Sequence, residues 1–125
     1  MRSIRLSLAA GPRAPAEART GLSPLAGEIP PATFEMLRLL VSELVTNSVR
    51  HARLGEAGRV VLSVRTSSGG LRAEVVDSGC GFDPLLSPLS RDQEYGWGLH
   101  LVDRIADRWG VDRGDQTTVW FEINW

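Results

Sequence analysis

The sequence predicts an α+β domain, a two-layer α/β sandwich whose mixed, mostly antiparallel sheet carries helices on one face. Three observations lead there. Four short segments alternate apolar and polar residues with period two, the mark of strands with one wet face. One stretch of about twenty residues repeats its apolar residues at three and four, the mark of an amphipathic helix. The order runs strand, helices, strands, helix, strands, so antiparallel pairing with helices gathered on the dry face is the natural assembly.

Ile4, Leu6 and Leu8 share one face of a first strand, with Arg5 and Ser7 on the other, and Gly11-Pro12 ends it. Residues 14–26 predict a short helix interrupted by Gly21 and Pro24. A loop from Gly27 follows, and Pro30-Pro31 lead into the long helix, whose first turn tolerates a missing N–H. That helix is predicted over Pro31–His51, with Phe34, Leu37, Leu40, Val41, Leu44 and Val45 at helical spacing. Gly55–Gly58 reads as a turn. Val60, Leu62 and Val64 alternate with Val61, Ser63 and Arg65, and Leu71, Ala73 and Val75 with Arg72, Glu74 and Val76, on either side of Ser67-Ser68-Gly69-Gly70, which predicts a hairpin. The segment 78–95 contains Pro84 and Pro88 and has no period; loops of this length in a compact domain usually serve a function. A helix is predicted from Leu99 to Trp109, stopped by Gly110, and a last strand holds Val119, Phe121 and Ile123.

Composition narrows the function classes. A chain of 125 residues forms one domain, 1–125, able to bury a core without staples. Apolar residues make up 42% and the net charge is −1, which speaks against disorder and against direct nucleic-acid binding. Every one of the 14 basic residues is Arg, so no lysine can clamp a phosphate or form a Schiff base. The single cysteine, Cys80, rules out an internal disulfide and a cysteine-built zinc site. The alternating N-terminus is not a signal peptide and no apolar run has membrane-spanning length, so a cytoplasmic protein without a membrane partner is expected.

Four stretches suggest chemistry. On the long helix, the stripe Met36, Leu40, Glu43, Asn47, Arg50 turns from apolar to polar at Glu43. A carboxylate and a carboxamide therefore stand one turn apart beside the buried face, suited to a base and a metal ligand, although such pairs are also common on solvated surfaces. Asp77-Ser78-Gly79-Cys80-Gly81 leaves a strand with an acid that can accept a hydrogen bond from an exocyclic amine and two glycines that allow a flat ligand close; it could equally be an ordinary turn. In Tyr95-Gly96-Trp97-Gly98-Leu99-His100, glycines open a helix whose first amides suit an anion such as phosphate. Gly114-Asp115-Gln116-Thr117-Thr118 begins the last strand with two threonines.

Taken in order, these stretches resemble the GHKL ATPase superfamily, the group of gyrase, the heat-shock chaperone ATPase, histidine kinases and MutL repair proteins. Within it the chain is most similar to the small stand-alone bacterial anti-sigma factor serine kinases. Ser42–Ala52 resembles their Asn-containing box, Asp77–Phe82 the first glycine box, Gly96–Val102 continuing to Gly110 the second, and Thr117–Glu122 the last, so that the likeness spans about residues 3–124. The resemblance implies the Bergerat ATP-binding fold, with ATP and Mg²⁺ as cofactors. It implies Glu43 as the catalytic general base and Asn47 as the metal ligand. Asp77 would hold the adenine amino group, flanked by Gly79 and Gly81 and assisted by Thr117 or Thr118. Amides of Gly96, Gly98, Leu99 and His100 would cradle phosphates, and residues 84–95, with Arg91, would form a lid. His51, Cys80 and Trp97 receive no role. The implied function is an ATP-dependent serine/threonine protein kinase in transcription regulation. It would hold a sigma factor and phosphorylate a small antagonist protein, and a homodimer is a further expectation. An ATP-binding adaptor without phosphotransfer and a stand-alone histidine-kinase-like ATPase are the alternatives.

Overall fold

The long helix forms where its stripe predicts. In the computed structural model, which describes residues 1–51, 58–77 and 96–125, helix α2 runs Pro31–His51. Before it come strand β1 (Ser3–Ala9), helix α1 (Ala14–Gly21) and a single 3-10 turn, Ser23–Leu25. Gly21 and Pro24 thus split the predicted 14–26 helix in two. Gly27, at φ 85°, turns the chain towards α2 in a conformation that glycine adopts without strain. Strands β2 (Arg59–Ser67) and β3 (Gly70–Asp77) form the predicted hairpin around Ser68-Gly69. Helix α3 (Gly96–Ile105), β4 (Arg108–Arg113) and β5 (Thr117–Asn124) complete the described chain. The turn expected at 55–58, apart from Gly58, and the loop 78–95 lie outside the described residues.

The five strands form one sheet in the order β1-β2-β3-β5-β4, and every pair is antiparallel. Antiparallel pairing, expected for most of the sheet, therefore holds for all of its described strands. Side chains alternate across it. Val60, Leu62 and Val64, Ala73 and Val75, and Val119, Phe121 and Ile123 face the helices and are buried. Leu37, Leu40, Val41, Leu44 and Val45 of α2 close over them, with Ala14, Ala18 and Leu22 packed beside. Helix α2 packs against α1, α3, β2 and β3, which makes it the hub of the helical layer. Burying one such Val, Leu or Phe side chain stabilises the fold by about 1.5–3 kcal/mol.

The opposite face is wet. One register row crosses it as Ser3, Arg65, Arg72, Glu122 and Arg108. Arg72 bonds Glu74 and Glu122, both at 3.0 Å, and its guanidinium lies 4.2 Å from the Trp120 ring centroid. Desolvation works against the Arg72 charge, but the hydrogen bonds to Glu74 and Glu122 outweigh it and hold its pKa above the ordinary value.

One prediction fails in a telling way. The helix expected to reach Trp109 ends at Ile105, and 108–113 is a strand. Val102, Ile105, Ala106 and Trp109 do fit helical spacing, but the backbone finds better partners. The Asp107 amide donates to Glu122 O at 2.8 Å, and the Asp107 carboxylate accepts the Asn124 amide at 2.6 Å. Trp109 still faces the helices, because it pairs with inward Phe121, and its indole N–H reaches Asp103 at 2.9 Å. Gly110, read as a helix stop, is a strand residue beneath Trp120; a Cβ there would stand 2.8 Å from the indole ring.

Candidate functional site

At one end of the sheet the dry face stops being apolar. The register row there reads Leu8, Val60, Asp77, Thr117 and Arg113. Asp77 and Thr117 are directly opposed across β3 and β5, at 3% and 4% exposure, on the face that the helices cover. A carboxylate in that position is costly to desolvate unless something bonds to it. Arg113, exposed, ends the row at the rim. Sequence reading missed it because β4 was taken for a helix end, yet the alternation Trp109, Val111, Arg113 was the signal that could have found it.

The helix that covers this face, α2, carries its own polar stripe. Glu43 is half-buried, and Asn47 follows one turn later, about 6 Å along the axis. Asn47 is 7% exposed, and its Nδ2 is the one buried side-chain polar atom without a hydrogen-bond partner among the described residues. An unsatisfied buried polar group costs about 1–3 kcal/mol, which a fold does not carry without return. The helix around it is well anchored. The Arg19 guanidinium donates to Ser42 Oγ at 2.7 Å, tying α1 to the residue before Glu43, and Thr46 Oγ1 donates to Ser42 O at 2.7 Å.

The dry side of the sheet thus carries a buried acid at a strand end, opposed by a threonine, and the helix packed on that side carries an orphaned carboxamide nitrogen. The model of the histidine kinase-like ATPase domain matches residues 8–123. The chain belongs to that family. Family membership implies ATP binding, and the arrangement fits it: Asn47 has an unused polar atom and Asp77 is an acceptor in a covered position. An uncharacterised protein of Streptomyces coelicolor is 38% identical over 81 residues, covering 63% of this chain and 76% of that protein. A crystal structure of the RsbU and RsbW domains of Rv1364c from Mycobacterium tuberculosis overlays with a TM-score of 0.76 over 98% of this chain, at 20% identity. The present chain spans 32% of that one, and the likeness establishes a shared fold.

The sequence-derived residues fall into three groups. Glu43 and Asn47 share a helix face, and Asp77 and Thr117 share the buried face of the sheet. Thr118 points the other way, in the wet row with Val76 and Asp112, so sheet alternation separates the two threonines that sequence left equivalent. Gly96, Gly98, Leu99 and His100 form the first turn of α3, which packs against α2; Leu99 is buried and His100 exposed. Gly79, Gly81, Cys80 and Arg91 lie outside the described residues. Among the described residues no helix is long and apolar enough to cross a membrane.

Proposed function

We propose that residues 1–125 form a single cytoplasmic domain that binds Mg-ATP between α2 and the Asp77 end of the sheet and transfers phosphate to a serine or threonine of a small antagonist protein. Its second partner would be the sigma factor it holds inactive. The observation that carries the reading is the orphaned Asn47 carboxamide one turn from Glu43. A half-turn of that amide exchanges nitrogen for oxygen, and oxygen is the donor magnesium prefers. Magnesium, when bound, neutralises phosphate charge and orients the reacting group.

The remaining roles belong to the chain. Asp77 accepts a hydrogen bond from the adenine amino group, and Thr117, opposite it, offers a hydroxyl to the base or to a bridging water. The first-turn amides of α3, from Gly96 to His100, donate to phosphate oxygens, where the helix dipole favours negative charge. Gly79 and Gly81 flank the base. Glu43 takes the proton from the attacking hydroxyl, while nearly all other catalysis is positioning and charge neutralisation. Family membership and the fold shared with an RsbW domain support this reading over other nucleotide chemistry. Phosphorylation would add charge to the antagonist and change which interface it can enter.

The test is transfer from labelled Mg-ATP to candidate antagonist proteins of the same genome, with Glu43→Gln in parallel. The expected outcome is label on serine or threonine with the wild type and a loss of about 100-fold or more with the variant. Intact ATP binding without transfer to any candidate would instead identify an ATP-holding adaptor.

A further inference from the structure

The wet face of the sheet is charged unevenly. Around Arg72 the charges are matched, with Glu74 and Glu122 on either side of it and Arg108 adding a second contact to Glu122 at 3.6 Å. Towards β1 the matching stops. Arg65 stands directly opposite Arg72, a like-charge pair that costs stability. Arg5 projects from β1 on the same face, opposite Ser63. Both are exposed, and neither makes an ion pair or a side-chain hydrogen bond among the described residues. Between them and Glu74 lies an open hollow of about 260 Å³, floored by Ser63 and edged by Ser3. Arg65 and Arg72 also line a second hollow of about 540 Å³.

We propose that this corner of the outer face docks an extended acidic segment of a partner protein, through Arg5 and Arg65. The spacing fits. Arg5 and Arg65 are diagonal neighbours on adjacent strands, about 7–8 Å apart. Alternate residues of an extended peptide lie on one side at about 6.5–7 Å, so a Glu-x-Glu segment meets both guanidinium groups at once. The serines of the hollow supply further donors and no steric bulk. Charge also selects the occupant: a nucleic-acid backbone would have to run on over Glu122 as well as Glu74, whereas a short acidic segment stops at Arg5 and Arg65, where the one carboxylate at the hollow, Glu74, is already paired with Arg72. The sheet does not require Arg65, since removing it relieves repulsion with Arg72. The site is on the opposite face from Asp77 and Asn47, and the inference is independent of the phosphotransfer reading.

The probe is a short peptide of alternating Ser and Glu, titrated at low salt into isotopically labelled protein and followed through amide shifts. Shifts should centre on residues 3–5 and 63–65. The Arg5→Ser/Arg65→Ser double variant should bind at least about tenfold more weakly, with an unchanged or higher melting temperature. Arg59→Ser, which removes a charge from the far end of β2 where Arg59 is bonded to Ser7, should bind as the wild type does. Four results would overturn the proposal: no shifts at this corner, equal binding of a Ser/Gln peptide, equal weakening by Arg59→Ser, or tighter binding of a DNA oligonucleotide there. A dimer in sedimentation that the double variant dissociates would overturn it too, by giving the face to a second copy.

Discussion

Asp77 and Arg72 stand on the same strand, and β3 houses them under opposite conditions. Arg72 lies on the wet face, where two carboxylates and an indole ring surround it and water is close. Asp77 lies on the dry face, at 3% exposure, in a row whose other inward members are Leu8, Val60 and Thr117. Along the outer row most charges answer one another. On the inner row and on α2 above it, polar groups are set among apolar ones, and at Asn47 one atom is left unanswered. Polar groups that satisfy one another hold a surface together; the Asn47 nitrogen, covered and without a partner among the described residues, does not serve the fold in that way.

Substitutions can break that contrast. The largest effect is expected from Phe121→Ala, which empties the centre of the dry face and should cost about 3–5 kcal/mol in denaturant unfolding. A loss below 1 kcal/mol would mean that the two layers are not packed as described. Asp77→Asn keeps the shape of the inner row and turns half of its acceptor surface into a donor. ATP affinity measured by calorimetry should fall about 10- to 100-fold, the worth of a hydrogen bond to a charged group. Unchanged affinity would remove Asp77 from the nucleotide site. Asn47→Leu replaces the orphaned amide with a side chain of similar volume. It should raise stability by about 1 kcal/mol while the magnesium dependence of nucleotide binding disappears. A drop in stability would show that Asn47 serves the fold rather than a ligand. The smallest effect sharpens the other side: Arg65→Thr, a β-favouring residue without the like charge, should raise the melting temperature by about 1–2 °C.

Much of this was legible because periodicity reports burial, and burial fixes the layers. Helix α2 and the β2–β3 hairpin have the bounds and inward residues that spacing dictates. The failure at 106–113 has the same root. Val102, Ile105, Ala106 and Trp109 suit a helix, while Trp109 and Val111 equally suit a strand, and a run this short does not decide between them. What decided was tertiary: Glu122 offered the Asp107 amide an acceptor and Asn124 offered the Asp107 carboxylate a donor, partners that no local pattern announces. The site divides likewise. Glu43 and Asn47 could be paired from sequence because helical spacing alone joins them. Placing Thr117 on the dry face and Thr118 on the wet one needed the register of β5 against β3, and placing Arg113 at the end of the Thr117 row needed β4 to exist.

The position of β5 has a consequence for how the domain comes into being. It is the last strand in order, yet it is inserted between β3 and β4. Until it arrives, β3 presents an open edge and Asp77 faces no threonine. The inner row is held by long-range pairs at both ends, Leu8 with Val60 and Asp77 with Thr117, so ordering it means closing long loops before any reward is collected. Folding should be limited by closing these long-range pairs, on a timescale of about milliseconds to seconds, with the local β2–β3 hairpin assembled earlier. A chain halted before Thr117 would leave the β3 edge unpaired, an aggregation-prone state, and Asp77 without its opposing residue.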